Sequence, residues 1–427
     1  VPLKQPRGNR VRIVVVANDT RGGVQPYIAL GAGLQDAGHN VRVVAPADFA
    51  SMVTSRGLAF SGLSGNAQAD ARRVGSTSKR GPIASMCSIA GEMTTRMETW
   101  TRETLEASDG ADLLTGGVGG MIVGLSVADK LSVPFVPTHL QPVDAPTGDY
   151  PGVLFAGMPT WLGRPGRRLG HTLTGLALWT PFKRPMMSAR ASVLKLSGPP
   201  AAAKGQPVLY GFSPRVVQVP TVPGKERHVT GYWFADSSGW TPPPALDAFL
   251  AREGPVVSIG FGSMTGEDPA RFTATVLSAV RAAGVRAVLL SGWGGLAATP
   301  DTDDVLVADA VPHDWLFPRV AAAVHHGGAG TTGAALRAGI PAIVVPFGAD
   351  QPFWGARVAA LGVGPAPIPR RQLTGQGLAA ALSDTLADAA MRSRAPDFGM
   401  AMRAEDGVAA AVLEFDRIGR SGTVFPA

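Results

Sequence analysis

The sequence runs to 427 residues, 45% hydrophobic and 17% charged, an ordinary globular composition in a chain longer than one hydrophobic core usually organises. Its 39 Lys and Arg against 32 Asp and Glu leave a formal net charge of +7, which suits anionic ligands, but no basic block is dense enough to predict nucleic-acid binding. A single cysteine, Cys87, excludes an internal disulfide and fits a reducing compartment. No apolar run approaches the roughly 20 residues that span a bilayer. The opening VPLKQPRGNR lacks the apolar centre of a signal peptide. A soluble, cytoplasmic, two-domain protein is expected.

Residues 11–17, VRIVVVA, form a β-branched apolar run of the kind buried in a parallel sheet. The run breaks at NDTRGG, resumes with helical period in VQPYIALGAGLQDAG, and is followed by a second strand over 41–45. Strand, glycine turn, helix, strand is a βαβ unit. Residues 61–81, rich in Ser, Gly and Arg, read as a mobile loop, and 84–107 as a long helix. LLTGGVGG is a strand and turn, then come a helix, VGLSVADKL, and a strand, PFVPTHLQP. From 142 to 200 the rhythm breaks into Pro, Gly, Trp and Phe with amphipathic helical pieces between. Trp161, Trp179 and Phe182 either pack an irregular subdomain or form an apolar wall for an acceptor molecule or a membrane-facing lip. Arg167, Arg168, Lys183 and Arg184 are interleaved with those apolar residues.

Prolines and glycines around Tyr232, Trp233 and Phe234, ending in three consecutive prolines, predict an interdomain linker over 226–245. The first domain is then 1–225 and the second 246–400, with 401–427 left as a terminal helix. In the second domain VVSIGFGSM is strand plus glycine turn, DPARFTATVLSAVRAAG a helix, and VRAVLLSGW and VLVADAV two further strands. A strand over 321–324 runs into HHGGAGTT, and another over 342–345 ends in PFGADQ. Residues 373–417 read as largely helical with a break near Pro396.

The chemistry is concentrated at those strand ends. Glycines 327, 328 and 330 permit close approach of a ligand, and the helix that follows aims its free N–H groups at the turn, an anion site. Two adjacent histidines before that turn point to a ligand contact, with His326 and the amides of Gly330, Thr331 and Thr332 on one phosphate and Ser263 on another. Two uses are open to Asp350: capping the helix it precedes, or pairing with Gln351 on vicinal sugar hydroxyls. The pair suits the second. Trp293 is either core or a stacking platform, and Val311 sits at a strand end where backbone groups could read a base edge. Phosphate on one side and hydroxyls on the other suggest a nucleotide-sugar. No clustered His, Asp or Glu set carries metal-ligand spacing.

In their order GFGSM, SGWGGL, VPHDWLFP, HHGGAGTT, LRAGIP and VPFGADQPFWGARV, with TRGGVQPYIALGAGLQDAGHNVRVVAP near the start, resemble the GT-B glycosyltransferases of the UDP-glycosyltransferase superfamily. Within them the chain is most similar to the sterol glucosyltransferases and the bacterial antibiotic and macrolide glycosyltransferases. The likeness is dense over 256–369 and only general over 51–244. It implies an α/β fold of two Rossmann-like domains facing across a cleft, and inverting transfer from a UDP- or dTDP-sugar co-substrate without metal or other cofactor. It further implies a donor site on the second domain, an apolar acceptor on the first, and a last helix that crosses back to the first domain. On this likeness Ser263, Trp293, Val311, His326, Gly328, Gly330, Thr331, Thr332, Asp350 and Gln351 serve the donor.

One position departs from the pattern. The family commonly carries Asp or His three residues before the proline of the first glycine turn, as the general base, and here Gly23 stands there. Asp19, four positions earlier, is the nearest carboxylate and the candidate replacement. His139 and Asp144 are the other candidates, and with Trp161 they are the acceptor-side residues. Rival readings are a lipid-acceptor enzyme at a membrane surface through 161–185, and a degenerate nucleotide-binding partner of another glycosyltransferase. A dinucleotide oxidoreductase is disfavoured because the first turn lacks G-x-G-x-x-G. A homodimer stays open.

Overall fold

A computed structural model describes residues 10–65, 82–144, 146–237, 239–262, 264, 268–292, 296–297 and 301–421, the side chains of 82–93 and of Ser421 excepted. Among the described residues twelve strands, β1 Arg12–Val16, β2 Asn40–Pro46, β3 Ala59–Leu63, β4 Leu113–Gly116, β5 Phe135–His139, β6 Val208–Tyr210, β7 Arg227–Val229, β8 Val256–Gly260, β9 Arg286–Leu290, β10 Val305–Ala308, β11 Ala322–His325 and β12 Ala342–Val344, make two parallel sheets. The first runs β3-β2-β1-β4-β5-β6-β7 and the second β10-β9-β8-β11-β12. Val, Ile and Leu fill both faces of the central strands because crossover helices cover both sides. In β1, Val15 is level with Val43 and Thr115, and four of the five residues are buried.

In each sheet the strand order reverses direction once, between β1 and β4 and between β8 and β11. Loops diverge at such a point and leave a crevice at the carboxyl ends of the strands, where open α/β sheets take ligands. The turn 18–20 with the start of the helix Arg21–Asp36, and Gly117 with the start of the helix Val118–Leu131, stand over the first crevice. Gly262 and the turn 326–328 stand over the second.

Four stretches differ from the sequence expectation. Residues 59–63 are strand at the sheet edge, with Phe60 packed on one face of the sheet and Leu63 buried on the other, and 66–81 lie outside the described residues. The irregular segment after 142 contains one 30-residue helix, Gly163–Ser192, with Pro181 and Pro185 inside it. Pro396 does not break the last helical region. It lies within the helix Ala389–Arg403, whose boundary is set by Asp388 accepting from the Met391 N–H. The stretch read as linker begins with β7, the edge strand of the first sheet, and continues into buried Tyr232 and Trp233.

The two halves are packed together. Phe212 meets Trp354 edge-on at 6.1 Å, Tyr150 meets Phe353 at 5.8 Å, and Arg357 donates to the Val216 carbonyl at 2.9 Å. The last helix, Gly407–Ser421, crosses to the first sheet. Its Ala411, Phe415 and Ile418 join Val11, Ile13 and Leu30 in one core, and His39 meets Asp416 at 3.1 Å.

Candidate active site

The second-domain crevice is built around one imidazole. Alternation along β11 sends the paired histidines to opposite sides. His325 is buried, and its Nδ1 accepts the Gly327 N–H at 3.0 Å, so it braces the turn and does not reach the cleft. His326 is half-buried and lies between two glycines: a Cβ on Gly262 would meet its Cε1 at 3.2 Å, and one on Gly328 its Nε2 at 2.5 Å. Those glycines make room for the ring. Burial, with His313 nearby, lowers the His326 pKa to about 4, so it is a neutral hydrogen-bonding group at physiological pH.

The helix Ala329–Ala338 begins beside it with Gly328 as an N-cap that offers no side-chain bond. The first helical bond at this end runs from Thr332 N–H to the Gly328 carbonyl, which leaves the Ala329, Gly330 and Thr331 amides without an intrahelical acceptor. Thr331 is half-buried at the crevice, whereas Thr332 is fully buried and turns its hydroxyl into the protein. Val311 is buried in the connection that follows β10, the edge strand of the second sheet. Ser263 and Trp293 lie outside the described residues.

Asp350 does not cap the helix Gln351–Ala360 through its side chain. Its carboxylate accepts from Trp354 Nε1 at 2.8 Å and from the side chain of Gln141, which reaches it from the first domain. Burial raises its pKa against the pull of those bonds. Gln351 is buried and holds the turn before it, its Oε1 accepting the Phe347 and Gly348 N–H groups at 2.7 and 3.2 Å. Only the amide nitrogen, now against Met264 sulfur, is left to donate elsewhere.

Opposite stands Asp19, in a recess at the ends of β1 and β4 lined by Tyr27, residues 117–120 and Gln141. Solvent reaches its carboxylate, yet protein crowds it from both domains. Desolvation pushes its pKa up to about 6, against the lowering effect of bonds from Thr20 and with a smaller upward push from Asp350. A Cβ built on Gly23 would lie 2.2 Å from Asp19 Cγ and 2.3 Å from Oδ2. The carboxylate of residue 19 therefore fills the space that a side chain at 23 would enter. Arg21, the first residue of the helix that follows, is close enough to His313 across the cleft to add to the lowering of its pKa by burial, to about 4.

The structure thus brings together Asp19, His326 and Asp350, and adds Arg21, Gln141 and His313, which the sequence reading did not single out as a set. GGVGG after β4 was the one signal for the facing wall. His139 and Asp144 line a separate cavity of about 1030 Å³ in the first domain, with Val143, Leu178 and Trp179, and Val118 borders both this cavity and the Asp19 recess. His139 is buried, and desolvation, opposed by Asp144, lowers its pKa to about 4. The Asp144 carboxylate is 3.9 Å from Lys225. Trp161 is 81% exposed and is not in the cavity wall, because the turn Thr160–Leu162 points it away from the domain. Among the described residues no group of three or more His, Cys, Asp or Glu is arranged to hold a metal, and no helix is long and apolar enough to cross a membrane.

Comparison with known proteins gives the same picture. The glycosyltransferase family 28 N-terminal domain matches residues 13–134, and the C-terminal domain described as erythromycin biosynthesis protein CIII-like matches 292–411. Sterol 3-beta-glucosyltransferase UGT80A2 of Arabidopsis thaliana is 34% identical over 95% of this chain and 65% of its own length. The sterol 3-beta-glucosyltransferase of Cryptococcus neoformans is 34% identical over 94% of this chain, which spans only 27% of it. Among solved structures, glycosyltransferase VinC in complex with dTDP superposes with a TM-score of 0.66 at 19% identity, over 96% of this chain and 100% of that one. Glycosyltransferase SnogD of Streptomyces nogalater superposes with 0.63 at 21% identity, over 96% and 99%. Two parallel α/β domains give the chain the GT-B fold, and on it the chain carries in order a glycosyltransferase family 28 N-terminal domain and an erythromycin biosynthesis protein CIII-like C-terminal domain.

Proposed function

We propose that the protein transfers a sugar, with inversion, from a UDP- or dTDP-type nucleotide-sugar to a hydroxyl of an apolar acceptor such as a polyketide, macrolide or sterol. The relatives named for sterol glucosylation and the neighbour crystallised with dTDP support the two substrate classes. In this reading the second domain holds the donor and the first the acceptor. The pyrophosphate lies on His326 and the free amides at 329–331, where the positive end of the helix meets growing negative charge. The sugar hydroxyls face Asp350 and the Gln351 amide nitrogen. The acceptor occupies the first-domain cavity and presents its hydroxyl past Val118 to Asp19. The acceptor oxygen attacks the anomeric carbon from the face opposite the leaving group, the bond from that carbon to the phosphate oxygen breaks, and the hydroxyl proton passes to Asp19. The reading uses no metal and no further cofactor.

The observation that carries it is the exchange between Asp19 and Gly23. A base is needed at one place in space, and the carboxylate reaches that place from a different residue. A catalytic base contributes about 10²–10⁴-fold. Asp19→Asn is therefore expected to lower kcat by about that factor with unchanged nucleotide affinity. The reciprocal double variant, D19G with G23D, is expected to recover at least about tenfold of the loss. Normal turnover in the single variant would remove Asp19 from the mechanism.

A further inference from the structure

Between Asp149 and Glu226 the chain holds ten Lys and Arg and no carboxylate, an excess greater than the +7 of the whole sequence. Part of it is neutralised by neighbours. Arg190 is buried against Asp129 at 2.7 Å, Arg164 pairs with Asp149 at 3.1 Å, and Glu98 accepts from Ser188 and Ser192 near the end of the helix Gly163–Ser192. Arg168, Lys183 and Arg184 are exposed and have no ion pair among the described residues.

These three share one arc of that helix with Leu169 and Leu176. Positions 165, 168, 169, 172, 176, 180, 183 and 184 are all exposed and recur at helical spacing, while Gly170, Thr174, Pro185 and Ala189 on the opposite side are buried. Trp161, in the turn just before, is 81% exposed, Leu169 50% and Leu176 57%. A soluble surface usually scatters such side chains singly. Here two of them lie on one helical arc with unpaired cations, and a third is exposed in the turn that leads into that helix. The sign of the charge selects the occupant, because an apolar ridge set among cations complements anionic headgroups above an acyl layer. A dry protein interface would instead have to supply carboxylates for three desolvated cations.

We infer that this face docks the protein on an anionic phospholipid surface, with Trp161, Leu169 and Leu176 entering the boundary between headgroups and acyl chains. Arg168, Lys183 and Arg184 meet the phosphates. The adjoining flank of the same helix, with Leu178 and Trp179, lines the 1030 Å³ cavity, and Thr172 belongs to both the exposed arc and the cavity wall. A bilayer against the arc lies at the cavity rim, so a lipophilic acceptor enters without crossing bulk water. That last step rests on the sugar-transfer reading. The docking does not.

The test uses the whole chain without donor, sedimented with pure phosphatidylcholine vesicles and with mixed phosphatidylcholine and phosphatidylglycerol vesicles. Binding to the mixed vesicles alone, weakened by added salt, is expected. Each basic side chain near an anionic surface contributes about fivefold, so R168Q/K183Q/R184Q should bind about 100-fold less tightly. W161A/L169A/L176A should lose about tenfold or more. Both variants alter exposed side chains only, and the parent's melting temperature and its shift with UDP or dTDP should be retained. Equal binding to both vesicle types, no binding, or binding unchanged in the variants overturns the inference. So does a variant that leaves vesicle binding intact and splits a dimer in size-exclusion chromatography, which would assign the face to a second copy of the chain.

Discussion

Adjacent residues with the same side chain do different work at His325 and His326. The first closes a turn, and the second is held neutral at the mouth of the crevice between two glycines. His326→Ala removes a hydrogen-bonding group facing the helix amides, and a bond to a charged partner is worth about 1.5–3 kcal/mol. Nucleotide diphosphate affinity, read by calorimetry, should fall by about tenfold to 100-fold. Asp19 gives a second prediction at this scale, and it concerns stability as well as rate. Its pKa rises from 3.8 to about 6 in the fold, so the folded state binds the proton more tightly than the unfolded chain. The stability gained from the protonated form is complete below the unfolded value and lost as pH rises through about 6. Asp19→Asn should therefore melt above the parent near pH 8, with the gap closing below about pH 4, while parent turnover climbs as pH rises through about 6. A variant that melts no higher than the parent at alkaline pH would show that the carboxylate is not held at a cost to stability.

The helix Gly407–Ser421 ties the end of the chain to the first sheet, and its apolar side fits against glycine. A Cβ on Gly33 would lie 2.2 Å from Val408 Cγ1, so the two helices approach more closely than alanine would permit. Phe415 is fully buried in the core shared with Val11, Ile13 and Leu30. Phe415→Ala should cost about 3–5 kcal/mol in denaturant unfolding. Arg417, paired with Glu226 on the far side of that helix, is half-exposed, and Arg417→Ala should change stability by under about 1 kcal/mol. The contrast separates packing from surface charge as the source of the attachment.

For the whole molecule, the two crevices face each other. Gln141 of the first half reaches Asp350 of the second, and Arg21 lies near His313. A ligand filling the cleft touches both domains, but in the proposed reading the nucleotide touches only the second. UDP or dTDP at about 100 Kd should stabilise by about 2.7 kcal/mol, and in a scan that resolves two transitions only the one belonging to 246–400 should move. Movement of both, or of the first alone, would place the nucleotide elsewhere.

The sequence by itself determined the parts whose signals are local. Apolar β-branched runs at 11–17 and 256–260, glycines at their ends and helical periods between them need only neighbours in the chain to be read, and they gave an α/β plan and the GFGSM, HHGGAGTT and PFGADQ turns in order. Gly23 also stood out on the page, as a missing side chain in a motif that usually has one. Only the tertiary structure decided what fills its place, because the distance from Asp19 to that space depends on how a turn folds onto a helix and not on spacing in the sequence. The same holds for Gln351, whose oxygen is spent on its own turn, and for Trp161, which the sequence leaves open between core packing, an acceptor wall and a membrane-facing lip and which the chain path carries outward. Parallel strand order decides which loops stand over one crevice, and that order is a long-range property. Strands β1 and β4 lie side by side although about a hundred residues separate them, so the recess that holds Asp19 exists only once the sheet has formed.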